Sequence, residues 1–190
     1  MLRIRPLLVV CLVLLAGLPA TASAAISSSA DIDARVRDAV QTLYTESAAA
    51  KELAGKARGM LVFPAVFKAG VGVGAEYGEG ALRVGSGTVD YYNIASASVG
   101  FQLGAQKKSV VVLFMTVEAF RKFRDSHGWK AGVDGSVAIA TLGVGGALDT
   151  ETIKKPIIGF VFSNKGLMYN LTLEGSKISK IHANEVRLRR

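Results

Sequence analysis

Between Gly70 and Gly80, glycine stands at positions 70, 72, 74, 78 and 80, all of them even. Successive side chains of an extended strand point to opposite faces, so one face of this segment is almost bare. Each glycine weakens a strand by roughly 0.5–1 kcal/mol relative to alanine, which makes five of them costly. The compensation expected is close approach of something to the bare face. Two occupants fit: a packed helix or crossing strand of the same chain, or a flat ligand such as an acyl chain lying along the sheet.

The rest of the chain is strand-like in short pieces. Runs rich in β-branched and aromatic residues cover 60–63, 98–103, 109–115, 136–141, 156–162 and 167–173, several separated by glycine-bearing turns. Helical spacing is confined to two places. Residues 31–57 carry Ile32, Val36, Val40 and Leu43 in steps of three and four, with Ser29 or Asp31 placed to cap the start and Gly55 to end it. Residues 117–124 set Phe120 and Phe123 against Arg121, Lys122 and Arg124. This pattern predicts an α+β domain: a mainly antiparallel β-sheet curled into a barrel or sandwich, with an N-terminal amphipathic helix and one shorter helix.

The first residues read as a cleavable export signal. Arg3 and Arg5 precede an apolar run over 7–18, and Ala22-Ser23-Ala24 supplies the small residues of a cleavage site. Twelve apolar residues fall short of the roughly 20 that span a bilayer. Cleavage after Ala24 leaves 25–190 as a single domain, with no linker, repeat or second composition zone. Cys11, the one cysteine, leaves with the signal, so disulfide and thiol chemistry are not expected. Arg3 and Arg5 leave too, taking the formal balance from +8 to +6. Surplus positive charge on an exported protein points to an anionic surface such as phospholipid headgroups, lipopolysaccharide phosphates or cell-wall polymers. Nucleic acid suits the charge but not the compartment.

The segments that invite an enzymatic reading lack its spacing. Gly72-Val-Gly74 requires a glycine at 77 for a dinucleotide fingerprint, and Tyr77 stands there. No GxxxxGK[ST] loop and no G-x-S-x-G elbow occurs. His127 and His182 have no partner at i+3 or i+4, so no metal site is expected. Glu76 and Glu79 would face opposite sides of a strand. The sequence therefore predicts no catalytic residues, no cofactor and no metal.

Four separate segments resemble one known family. Gly59-Met-Leu-Val-Phe-Pro64, with Lys68-Ala-Gly70 and the glycines to Gly80, is similar to the opening of the SYLF domain. Ser98-Val-Gly-Phe-Gln-Leu-Gly-Ala-Gln106 is similar to its central motif. Ser163-Asn-Lys-Gly-Leu-Met168 and Leu173-Glu-Gly-Ser176 resemble its closing segments, so the likeness runs from about Ala30 to Ile181. Where eukaryotic members carry a Trp-Ser-x-Pro segment, this chain has Val89-Asp-Tyr-Tyr-Asn93, as in an exported bacterial branch. The resemblance implies a non-enzymatic lipid-binding module, described in eukaryotic members as binding phosphoinositides and sometimes actin filaments.

Candidate lipid contacts are the basic residues beside the matching motifs: Lys51, Lys56, Arg58 and Lys68, and Lys107 with Lys108 in a tight turn after Gln106. Gly70, Gly72 and Gly74 are the candidate bare face for an acyl chain. Each cation near an anionic membrane contributes on the order of 1 kcal/mol. Tyr91 and Tyr92 are placed either at a membrane interface or in the core. The reading that follows is an exported protein making peripheral contact with anionic membrane lipid at the envelope. Its rival is a periplasmic scaffold for a protein or cell-wall partner.

Overall fold

A computed structural model describes residues 27–71, 73–99, 104–140, 149–163, 166–167 and 173–181. The signal segment 1–24 and Gly72 lie outside them.

The N-terminal helical stretch is two helices, α1 (Ser29–Glu46) and α2 (Ala48–Lys56), not one. Ser47 divides them. Its backbone is extended, and its buried side-chain oxygen accepts the Ala50 N–H at 3.1 Å, so the alanine run starts a new helix from its own cap. Ser28, one residue ahead of the expected positions, caps α1 by accepting the Asp31 N–H at 3.2 Å. Ile32, Val36, Ala39, Val40 and Leu43 form its buried stripe.

Among the described residues, nine strands form one sheet. The four long ones are β1 (Gly59–Val71), β2 (Val73–Val84), β3 (Gly87–Val99) and β4 (Gly104–Phe114). After α3 (Val117–Asp125) come β5 (Trp129–Lys130), β6 (Ala138–Ile139) and α4 (Thr150–Ile153). β7 (Ile157–Ser163), β8 (Gly166–Leu167) and β9 (Lys177–Ile181) complete the chain order. The path across the sheet is β5-β9-β3-β2-β1-β4-β7-β6, with β8 on β7. Only the β6–β7 pair is parallel among the described strands. The architecture is α+β, a curled sheet that stays open as a half-barrel.

The sheet carries a core on each face. On one face α1 and α2 pack over Met60, Val62, Ala81, Val111, Leu113, Ile158 and Phe160. On the other, Leu61, Phe63, Leu82, Val110, Val112 and Phe114 meet Phe123 of α3 and Trp129. The Phe123 ring lies 4.7 Å from that of Phe114, 5.1 Å from Tyr92 and 5.9 Å from Trp129. Tyr92 is thus core. Tyr91 points to the α1 side, where its hydroxyl and that of Thr88 donate to Asp33 at 2.9 and 2.8 Å and tie α1 to β3.

Pro64 decides the register of the long strands. β1 is central, bonded to β2 on one side and β4 on the other, and proline has no N–H to give a ladder. The chain accommodates it with a one-residue bulge: Val62 pairs with Ala81 but Ala65 with Glu79, and Phe63 pairs with Val110 but Val66 with Lys108. Ser109 Oγ donates to the Pro64 carbonyl at 2.9 Å. Beyond the bulge the even residues of β1 have moved to the face occupied by the odd ones before it, as Val62 and Val66 show by packing in opposite cores.

The glycine run is a hairpin, not a single strand. Gly70 pairs with Gly74 and Val71 with Val73, so the even positions still share one face. What approaches that face at Gly78 and Gly80 is β1 itself. A Cβ on Gly80 would stand 2.1 Å from the Val62 carbonyl oxygen and 2.7 Å from Phe63 Cδ1. On Gly78 it would meet the Ala65 carbonyl oxygen at 2.7 Å. Of the two occupants weighed from sequence, the neighbouring strand accounts for these two glycines.

Gly80→Ala is expected to lower unfolding stability by about 1–3 kcal/mol in urea titration, as overpacking does. Gly55→Ala, where nothing lies within 4 Å, should leave stability unchanged or raise it by up to about 1 kcal/mol. Burial, helped by the nearby Asp90 carboxylate, pushes the Tyr92 hydroxyl up to about 12. A tyrosine with a raised folded pKa stabilises the fold fully below its unfolded value of about 10 and loses that contribution as pH rises through the folded value. Stability should therefore fall between about pH 10 and pH 12, less steeply in Tyr92→Phe, as read by urea midpoints across that window.

Candidate functional site

The basic candidates separate into two groups at opposite ends of β1. Lys51 and Lys56 are exposed on α2, and Arg58 follows it, its N–H donating to the Phe114 carbonyl at 2.8 Å. Lys56 pairs with Glu52 one turn earlier and, mainly through that hydrogen bond, holds the carboxyl below its usual range. Ten residues separate Arg58 from Lys68, about 30 Å at roughly 3.3 Å per strand residue. No single headgroup spans that distance, so Arg58 does not share one with Lys68.

At the far end, β4 extends further back than the sequence suggested. Lys107 and Lys108 lie within the strand, not in a turn, and point to opposite faces. Lys108 Nζ lies 2.9 Å and Lys68 Nζ 3.5 Å from the Glu76 carboxylate, with side chains only 11%, 21% and 13% exposed. Lys68 reaches this face because of the Pro64 bulge. These two lysines are thus committed to an internal ion cluster on the glycine side of the sheet. Gly70 and Gly74 form the next register row, flanked by Gly104 and Ser98.

The opposite face of the same strand ends is apolar and lies open. Ala95, Tyr77, Phe67 and Lys107 are successive cross-strand partners over β3, β2, β1 and β4. The next row is Ala97, Ala75 and Ala69. Phe67 is 56% and Tyr77 40% exposed, and Ala69, Ala75, Ala95 and Ala97 are exposed as well. Lys107 holds its ammonium 5.7 Å from the centre of the Phe67 ring, and the Tyr77 hydroxyl donates to Glu79 at 3.2 Å. Sequence reasoning missed this face. The alternation of Val71, Val73, Ala75 and Tyr77 with the glycines carries the signal in β2, but the bulge conceals the matching alternation in β1.

Beside Lys107 a groove of about 510 Å³ opens between α1 and the bulge. Arg35, Asp38 and Thr42 line it from the helix, and Pro64, Lys107 and Ser109 from the sheet. Among the described residues there is no cluster of three or more His, Cys, Asp or Glu side chains that could hold a metal ion.

Removing the shared carboxylate of the ion cluster leaves two mostly buried ammoniums unpaired. Glu76→Gln is expected to cost about 3 kcal/mol in urea unfolding, near the lower end for breaking a buried pair because the site retains some solvent.

Residues 95–186 match the family model described as Ysc84, Las17-binding protein actin regulator. The matched segment holds the central motif from Ser98 and both closing motifs, while the Gly59–Pro64 and glycine-run motifs precede it. The chain has no significant match among curated proteins. The match over 95–186 is to the Ysc84 (SYLF-domain) family, in keeping with the motifs that the sequence carries.

Proposed function

We propose that this protein is a non-enzymatic binder of anionic phospholipid that acts peripherally at the bacterial envelope, reached through export by residues 1–24. The observation that carries the reading is the exposed row of Tyr77, Phe67 and Lys107 leading into the alanine row. In water an open Phe and a contiguous alanine surface are unfavourable, and such patches mark contact with a partner or a membrane. Aromatic rings flanked by a lysine suit the interface of a bilayer: the rings enter the headgroup region while the ammonium stays with the phosphates. The surplus positive charge supplies the electrostatic attraction. SYLF domains are binding modules, and lipid binding is the family property that this surface fits. No helix among the described residues is long and apolar enough to cross a membrane, and the proposed contact is through strand ends that lie on the bilayer.

Actin regulation belongs to the family's description and is not carried to this chain. The signal read over residues 1–24 favours an envelope lipid as partner.

The test is co-sedimentation with vesicles. Phosphatidylglycerol–phosphatidylethanolamine vesicles should bind the protein, phosphatidylcholine vesicles should bind it weakly, and salt should weaken the interaction. Phe67→Ser with Tyr77→Ser should reduce binding at least about tenfold, since burying either ring contributes on the order of 1.5–3 kcal/mol. Binding that ignores lipid composition, or that survives the double substitution, overturns the reading and leaves a protein or cell-wall scaffold.

A further inference from the structure

The groove beside this face has a charge balance that selects its ligand. Arg35 lines one wall and Lys107 the other. Arg35 Nε is bonded to the Asp31 carbonyl at 3.2 Å, which leaves its terminal NH₂ groups as donors. Lys108 also lines the groove, but its ammonium is shared with Glu76. Two hydroxyl protons of the lining are spent: Thr42 donates to the Asp38 carbonyl at 2.9 Å and Ser109 to the Pro64 carbonyl at 2.9 Å, while Ser163 also lines the groove. The cations that face an entering anion are Arg35 and Lys107. Asp38 lines the same groove, and its negative charge opposes a second one on the ligand.

We propose that this groove is a headgroup site for a singly charged phosphodiester, with Arg35 and Lys107 on the phosphate and Asp38 accepting from a hydroxyl or ammonium of the esterified group. It deepens the phospholipid reading given above and rests on it for the source of the diester. Two cations and one carboxylate leave one positive charge, which matches a phosphodiester monoanion and disfavours the dianion of a phosphomonoester. The position fits the neighbouring face, because Lys107 belongs to both. A lipid whose phosphate sits in the groove has its acyl chains beside Phe67. A free phosphodiester, such as a deacylated headgroup, presents the same chemistry.

The experiment is a titration of purified protein with glycerophosphoglycerol, with inorganic phosphate at pH 8, and with phosphatidylglycerol vesicles. Saturable binding of the diester is expected, with inorganic phosphate at least about tenfold weaker. Arg35→Gln and Lys107→Gln, both at exposed positions, should each weaken the diester about tenfold, the effect of one lost charge-assisted hydrogen bond. Asp38→Asn should narrow the gap between diester and inorganic phosphate. Diester binding that persists while vesicles fail to bind supports the groove with a free phosphodiester as source, and it sinks the membrane reading. Vesicle binding that Arg35→Gln leaves unchanged, with no response to the soluble diester, overturns the groove and leaves the membrane reading intact. Equal affinity for diester and inorganic phosphate overturns the charge-selection argument.

Discussion

The close approach of β1 to β2 at the Pro64 bulge is the constraint on which the rest of the structure depends. A proline in a central strand forces an extra residue into β1, and the bulge turns the Val62 and Ala65 carbonyls toward β2. Only glycine at 78 and 80 leaves room for them. The same residue resets the alternation of β1, so Phe67 arrives on the helix side and Lys68 on the glycine side. Pro64 and Ala65 also line the groove beneath α1. Glycines, ion cluster, apolar face and groove are thus consequences of one local irregularity.

That irregularity divides the sheet along its length. Where α1, α2 and α3 cover it, both faces are core. Beyond them the four long strands continue with unequal faces: one carries Lys68, Glu76 and Lys108 beside glycine rows, the other Phe67, Tyr77 and alanine. The ion cluster gives the glycine side internal polar partners. The alanine side has a ring–ammonium contact at its margin and open apolar surface within it. A lipid surface is the partner that such a face and a basic chain suit together.

Much of the fold was legible in the sequence because periodicity reports burial. The stripe from Ile32 to Leu43, the short helix with Phe120 and Phe123, and the apolar runs of β4 and β7 all depend on which face meets the core. The even-numbered glycines correctly announced a close approach. Ser47 as an internal cap, the full reach of β1 and β4, and the strand before Val99 were less legible. Ala69, Ala75, Ala95 and Ala97 have little strand propensity of their own and are extended because their neighbours are. The site was read only in part. Arg58 and Lys68 stand at opposite ends of β1, and Lys68 and Lys108 are tied to Glu76, since sequence distance does not show which end of a strand a residue occupies. Lys107 meets Phe67 on one side and shares a groove with Arg35 on the other only through the fold.

The most direct measurement uses the absence of cysteine after residue 24. A nitroxide spin label at Ala75→Cys, in the exposed alanine row, reports depth by its relative collisions with oxygen and with a water-soluble nickel chelate. A label at Ser86→Cys, in the β2–β3 turn at the other end of the strands, serves as reference. On phosphatidylglycerol-containing vesicles, the label at 75 should gain oxygen contact and lose nickel contact while the label at 86 stays water-accessible. If both labels remain equally accessible to nickel on vesicle-bound protein, the alanine face is not the membrane contact and the account fails.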